Sequence, residues 1–226
     1  MEHFDYTVKW SARRRTLSLE VTTAGAVVVA APVGTRPETI ERVLQDRHGW
    51  ITRKLAERRE ALDRIAPGMA YYLGRAYPVI RIENTRPEVR LAEDALYVTD
   101  TVSGDKAWLL LREWYQQEAS GLLAARVRHY GRLMPHQVGR LEVRDWRRRW
   151  GECRPRDGRL RFNWRLVLLP LPILDYVVAH ELTHLAVPGH PPRFWRRLAR
   201  VMPDCQDRRS WLNRYGSPFL LWRLEV

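Results

Sequence analysis

The feature that most constrains the fold of this chain is the motif His-Glu-Leu-Thr-His at residues 180–184, because its spacing has a chemical meaning only on a helix. Apolar residues recur at helical spacing through residues 173–186, and Pro188-Gly189 then ends the pattern. On such a helix His180 and His184 lie on the same face, so both imidazoles can bind one Zn²⁺ ion. Glu181 lies beside that ion, where its carboxylate can accept a proton from a water molecule that the metal activates. The sequence therefore predicts a metal centre on this helix.

Two histidines do not complete such a site, because catalytic zinc ions usually have three protein ligands and a water molecule. The helix-breaking residues after His184 allow the chain to fold back, which favours His190 as the third ligand. Asp204, Glu152 and carboxylates further away remain alternatives for that position. The expected cofactor is one zinc ion per chain.

Hydrophobic periodicity predicts an α+β fold with two parts. Residues 1–103 form a β-rich N-terminal subdomain: a hairpin at residues 17–31, one long helix that ends before Pro67-Gly68, and short strands near residues 71–73, 79–82, 89–91 and 96–98. Residues 104–226 form the second part, with a helix over residues 108–130 and strands at residues 141–143 and 159–166 before the motif helix. The aromatic residues of this part, Trp150, Trp164, Phe194 and Trp195, are expected to belong to the core.

The formal charge of +13 favours anionic partners such as nucleotides or nucleic acid, through an arginine-rich surface. Nearly all of the positive charge comes from arginine. The base composition of a genome can also enrich a protein in arginine, so the charge alone does not define a binding site. Cys153 and Cys205 cannot form a disulfide framework. The sequence has no apolar start and no long apolar run, so we expect a cytoplasmic protein without a membrane partner.

The chain resembles the YgjP-like metallopeptidases, also called the domain of unknown function 45 family, which are related to the SprT-like and WLM zinc peptidases. The residues that carry the likeness are Arg13-Arg14-Arg15-Thr16-Leu17, Trp50-Ile51, Arg149-Trp150-Gly151, Asn163-Trp164-Arg165-Leu166, residues 175–182, His190, Phe194-Trp195, Met202-Pro203-Asp204 and Trp211-Leu212. The resemblance implies a zincin-like core, zinc ligation by His180, His184 and His190, and Glu181 as the catalytic base. One departure is the sequence Gly-Glu-Cys-Arg at residues 151–154, where the family usually has Gly-Ser-Cys-Ser.

Three functions are compatible with these residues. The first is a zinc-dependent metallopeptidase that binds a protein or peptide. In zincin-like folds an edge strand pairs with the substrate. Residues 159–166, in which polar and apolar side chains alternate, are the candidate for that strand. Arg149, Asn163 and Arg165 are the candidate substrate-binding residues, and they and Tyr176 are candidates to stabilise the oxyanion.

The second function is a metal-dependent nucleotide pyrophosphatase, in which arginines before the motif helix would bind phosphates. These arginines are Arg144, Arg147, Arg148, Arg149, Arg154, Arg156, Arg159, Arg161 and Arg165. The chain has no Gly-rich phosphate-binding loop, and three histidines suit zinc better than the magnesium that usually accompanies nucleotides. The third function is a nucleic-acid-associated module with a structural zinc ion, which would leave Glu181 without a role.

Overall fold

The computed structural model describes residues 4–22, 24–83, 86–99, 104–134 and 136–224. These residues form ten β-strands and six α-helices, which confirms the mixed α+β class predicted from the sequence. The chain divides into two compact units, with the division between Ile65 and Ala66. The boundary predicted between residues 103 and 104 falls inside the second unit. No helix of the described residues is long and apolar enough to cross a membrane.

The first unit contains a three-stranded sheet in the order β1-β3-β2, followed by two helices. Its elements are β1 (Tyr6–Ser11), β2 (Ser18–Val21), β3 (Val27–Pro32), α1 (Pro37–Asp46) and α2 (His48–Asp63). The antiparallel pairing of β2 with β3 is the predicted hairpin. The single long helix predicted here is wrong, because the backbone of Arg47 leaves the helical region (φ −105°, ψ 8°) and separates α1 from α2. Val27, Val29, Ala31, Ile40 and Ile51 lie in the core of this unit.

The second unit contains two sheets and four helices. A four-stranded sheet in the order β4-β5-β7-β6 comes first, formed by β4 (Met69–Tyr72), β5 (Arg75–Ile82), β6 (Val89–Leu91) and β7 (Leu96–Thr99). The 30-residue helix α3 (Gly104–Leu133) follows. The second sheet consists of β8 (Leu141–Arg144), β9 (Gly151–Arg154) and β10 (Arg159–Asn163), in the order β8-β10-β9.

The central position of β10 corrects one expectation from the sequence. Strand β10 pairs in parallel with β8 and antiparallel with β9, so both of its edges are occupied. The prediction that residues 159–166 form an edge strand is therefore wrong, and the strand ends at Asn163, where a short 3-10 helix (Trp164–Leu168) begins. Alternation of polar and apolar residues shows which face of a strand is buried, but it carries no information about how many neighbours the strand has.

Helix α4 (Leu171–His184) carries the motif and packs against α3 and β9. Every residue from Ile173 to Ala179 is buried. Asp175 accepts two hydrogen bonds from the guanidinium of Arg126 on α3, at 2.6 and 2.7 Å, and this bidentate pair links the two helices. After α4 come α5 (Pro192–Val201), α6 (Cys205–Trp211), a π-helical turn (Leu212–Gly216) and a 3-10 turn (Ser217–Leu220).

The turn between β4 and β5 contacts the segment that enters α4. Leu73 and Gly74 both have positive φ angles, of 49° and 82°. Their backbone N–H groups donate to the carbonyl oxygens of Val167 and Leu168, at 2.7 and 3.2 Å. A Cβ atom on Gly74 would lie 2.8 Å from Cγ of Pro170, so only glycine fits this position. The first sheet of this unit is thereby fixed to the start of the motif helix.

Candidate metal centre and adjoining cavities

Three imidazoles converge at the end of α4. His180 and His184 come from the helix, and His190 comes from the connection to α5. The Nε2 atom of His180 lies 3.1 Å from that of His184 and 3.0 Å from that of His190. Two nitrogen ligands that each lie 2.0–2.1 Å from one zinc ion are about 3.3 Å apart in tetrahedral geometry, so this donor set fits Zn²⁺.

The partners of these rings direct their Nε2 atoms to a common point. The Nδ1 atom of His184 lies 3.1 Å from the carbonyl oxygen of Val187, and Nδ1 of His180 lies 3.4 Å from the hydroxyl of Tyr176. Hydrogen bonds at the second ring nitrogen commonly orient metal-binding histidines. The ring of His190 stacks on Trp195, with centroids 5.6 Å apart, and the Trp195 indole N–H donates to the His190 carbonyl.

Burial keeps the helix imidazoles neutral. Burial, together with smaller electrostatic effects of His184, His190 and Arg209, lowers the pKa of His180 to about 3. Burial also lowers the pKa of His184, partly offset by its hydrogen bond to Val187. A metal ion binds the neutral form of histidine, so these two side chains need not lose a proton at neutral pH.

Glu181 is buried beside the imidazoles, with 7% of its surface exposed. Its side chain fills the space next to Gly151 of β9, where a Cβ atom would lie 2.7 Å from both Cγ and Oε1 of Glu181. The pKa of this carboxyl is raised to about 8, mainly by burial and to a smaller extent by the charge of Glu152, against the opposing effect of a hydrogen bond from the backbone of Cys153. The carboxylate is therefore a stronger base than an exposed glutamate.

Two cavities adjoin this centre and share Gly151, His180, Glu181 and His190 as lining residues. We call them the tryptophan cavity and the proline cavity. The tryptophan cavity has a volume of about 450 Å³ and is also lined by Trp150, Tyr176, Val177, Trp195, Arg209, Leu212 and Asn213. The proline cavity has a volume of about 460 Å³ and is also lined by Cys153, Pro155, His184, Pro188 and Gly189.

The aromatic residues predicted for the core divide into two pairs. Trp164 and Phe194 are fully buried, as expected. Trp150 and Trp195 are half-buried and line the tryptophan cavity, so the core prediction is wrong for them. Arg209 also lines this cavity but was not predicted, because it lies on α6, far along the chain from the motif, and belongs to no recognisable pattern.

The three predicted substrate-binding residues have other contacts in the structure. Arg149 is exposed and forms an ion pair with Glu152 at 3.0 Å. The buried side-chain amide of Asn163 donates to the carbonyl oxygens of Trp146 and Arg149, at 2.7 and 2.9 Å. Arg165 is buried and pairs with Asp145. None of the three lines either cavity.

The alternative third ligands are also engaged elsewhere. Asp204 forms an ion pair with Arg208 at 2.8 Å, and Glu152 pairs with Arg149. Within the described ranges, the only group of three potential metal ligands is His180, His184 and His190.

Ion pairs also occupy most of the arginines before the motif helix. Six of the nine pair with acidic residues: Arg144, Arg149, Arg154, Arg159, Arg161 and Arg165. None of the nine lines the tryptophan cavity or the proline cavity. Their charge is therefore largely neutralised within the protein and lies away from the candidate metal centre.

A helix with two histidines and a buried glutamate between them, completed by a third histidine, is typical of metal-dependent hydrolases. The model of the YgjP-like metallopeptidase domain matches residues 15–215, and the chain belongs to the YgjP-like metallopeptidase family. A comparison with curated proteins finds no significant match. Membership supports a metal-dependent hydrolase that acts on a protein or peptide substrate.

Proposed function

We propose that this protein is a zinc-dependent metallopeptidase with a zincin-like core, in which His180, His184 and His190 hold one Zn²⁺ ion per chain and Glu181 is the general base. The observation that carries the proposal is the convergence of three Nε2 atoms within 4.8 Å of one another, beside a buried carboxyl that is not one of the three donors. Structural zinc sites are normally closed by four protein ligands, whereas three leave a position for water or substrate. The free cysteines Cys153 and Cys205 agree with a cytoplasmic location.

Glu181 is placed to transfer protons during hydrolysis. When bound, zinc supplies a Lewis acid that polarises the substrate carbonyl and acidifies water. Glu181 accepts a proton from the attacking water molecule at a carboxylate oxygen and then delivers it to the leaving amine. The backbone of Cys153 and the space at Gly151 hold the carboxylate in position for both transfers.

Tyr176 is the one predicted oxyanion donor that lines a cavity at the candidate metal centre. Its hydroxyl lies 3.4 Å from Nδ1 of His180, and its side chain lines the tryptophan cavity. Burial, partly offset by the charge of Arg209, raises the pKa of Tyr176 to about 12, so the hydroxyl keeps its proton at neutral pH. A phenol that remains protonated can donate to a negative oxygen.

Strand β9 is the candidate edge for an extended substrate. In the described part of the second sheet, β9 has a neighbouring strand only on the side of β10. Gly151 and Cys153 of this strand line the cavities next to Glu181. A peptide that pairs with the free edge of β9 would be held mainly by main-chain hydrogen bonds, which favours tolerance of different side chains.

The competing functions receive less support from the structure. A pyrophosphatase needs cationic groups at the phosphates, but the arginines before α4 are mostly paired and lie outside both cavities. A structural zinc module provides no reason to bury Glu181 next to the three imidazoles.

The test is a substrate panel of unfolded protein, peptides and nucleoside triphosphates, applied to the zinc-loaded wild type and to Glu181→Gln. We expect peptide cleavage by the wild type, and a rate about 10²–10⁴-fold lower for Glu181→Gln at unchanged zinc content. Glu93→Gln, which changes an exposed glutamate of the same unit, is the matched control and should keep the full rate. Pyrophosphate release without peptide cleavage would instead establish the pyrophosphatase, and full rate with full zinc in Glu181→Gln would refute every hydrolytic role for this residue.

A further inference from the structure

The guanidinium of Arg209 lies at the tryptophan cavity without a carboxylate partner. In the part of the chain that the structure describes, Arg209 forms no ion pair, whereas its neighbour Arg208 pairs with Asp204 and donates to the Pro172 carbonyl. A cavity that adjoins the candidate metal centre therefore contains a cation whose charge is not neutralised within the protein.

Arg209 is also held in a defined place. Its guanidinium carbon lies 4.5 Å from the centroid of the Trp195 ring, and that ring stacks on His190. The Trp195 indole is itself fixed by its hydrogen bond to the His190 carbonyl. A chain of contacts thus connects Arg209 to the third imidazole, and a cation held over an aromatic face keeps its N–H groups free for a ligand.

The remaining walls of the cavity suit a short side chain with a charged end. Trp150, Val177 and Leu212 supply apolar surface, and Asn213 supplies a polar group. Among the described residues, the only acidic one that lines this cavity is Glu181, next to the candidate metal centre. A single unpaired guanidinium matches one carboxylate, which it can bind through two parallel hydrogen bonds.

We propose that the tryptophan cavity is a specificity subsite in which Arg209 binds a carboxylate of the peptide substrate close to the scissile bond. This inference rests on the proposed peptidase function and adds a substrate class to it. The carboxylate has two possible sources, the side chain of aspartate or glutamate and the free C-terminus of a peptide. Arg209 is exposed, so the gain in affinity should correspond to an exposed ion pair, about fivefold.

Binding to the zinc-loaded Glu181→Gln protein tests the subsite without turnover. Fluorescently labelled hexapeptides carry one glutamate at successive positions, each with a glutamine counterpart, and each peptide is prepared as a free acid and as an amide. At one position glutamate should bind about fivefold more tightly than glutamine, or the free acid more tightly than the amide. The first result assigns the carboxylate to a side chain and the second to the C-terminus.

Variants of Arg209 on this background decide the assignment. Arg209→Gln should reduce the preference to less than about twofold, and Arg209→Lys should keep only part of it because lysine lacks the bidentate geometry. Arg200→Gln, which changes an exposed arginine of α5 outside both cavities, should keep the full preference.

Several results would overturn the subsite: no binding of any peptide, equal binding of charged and neutral peptides, or a preference that persists in Arg209→Gln. Turnover by the wild type is measured separately on the same peptides. If peptides bind with the Arg209-dependent preference but none is cleaved, the peptidase function fails while the carboxylate subsite stands.

Discussion

Replacement of Gly151 by alanine should reduce turnover far more than stability. The new Cβ atom would lie 2.7 Å from Cγ and Oε1 of Glu181 and 2.9 Å from its Cδ. Ordinary contacts between such atoms are 3.5–4.0 Å long, so the carboxylate must move by about 1 Å. A displacement of that size at a catalytic group costs about 10²-fold in rate, which corresponds to about 2.7 kcal/mol of transition-state stabilisation.

The cost in folding stability should be much smaller. The contact is with the end of a flexible side chain, which can rotate, and Gly151 has no positive φ angle that alanine would strain. We expect the free energy of unfolding to fall by about 1 kcal/mol, at the lower end of the cost of overpacking. Zinc affinity should be unchanged, because the three atoms nearest to the new methyl group all belong to Glu181 and none to an imidazole.

The assay combines steady-state kinetics, zinc content and thermal unfolding of Gly151→Ala. Gly121→Ala is the matched control, because it adds the same methyl group in α3, where the new group meets no described atom within 4 Å apart from the backbone of its own helix. That variant should keep its rate and gain stability, since alanine favours a helix by about 1 kcal/mol over glycine. A wild-type rate for Gly151→Ala would show that the position of Glu181 does not limit catalysis, and a parallel loss of zinc would show that the damage is not confined to Glu181.

Three further predictions concern the ligands, the helix and the carboxyl. His190→Ala should weaken zinc affinity strongly and leave the circular dichroism spectrum unchanged, because His190 is exposed; unchanged affinity on zinc titration would point to another ligand. Asp175→Asn should lower the free energy of unfolding by about 2 kcal/mol in denaturant titrations, since Arg126 loses its carboxylate but can still reach water; no change would show that the pair contributes nothing. In metal-free protein, Glu181→Gln should be more stable than the wild type by on the order of 2–4 kcal/mol above pH 8, because the folded wild type must then hold an ionised buried carboxylate. This difference should decrease as the pH falls and should vanish below about pH 4.5, where the carboxyl becomes protonated in both the folded and the unfolded state; a difference independent of pH would contradict the assigned cause.

The convergence of His180, His184 and His190 could be predicted from the sequence, because it depends on residues that are close together in the chain. The spacing of His180 and His184 has one geometric consequence on a helix, and α4 contains both residues. His190 is only ten positions from His180, so a single chain reversal brings it back, and Gly189 (φ 66°) adopts the left-handed conformation in that reversal. The four short strands predicted near residues 71–98 also correspond to β4–β7.

The surroundings of the centre depend on contacts between distant segments, which local patterns do not report. Trp150 and Trp195 are large and apolar, as core residues usually are. They line a cavity because residues of β9 and α6, which are distant in the sequence, lie beside them in the fold. Asn163 and Arg165 have side chains that could bind a substrate. In the structure they instead form hydrogen bonds and an ion pair with residues 145–149. Sequence periodicity could not show that β10 lies between two other strands, because burial of a strand face does not depend on the number of its neighbours.

The turn at Leu73 and Gly74 has a consequence for how this family of chains can vary in length. Turns between two antiparallel strands usually lie on the surface and tolerate added residues. This turn donates two backbone hydrogen bonds to the segment ahead of the motif helix, and Gly74 lies against Pro170 with no space for a side chain. An insertion here would displace the start of α4. The distance from His180 and His184 to β9 would then change. Changes in length compatible with hydrolysis should therefore accumulate in other connections, and this short hairpin should keep its length.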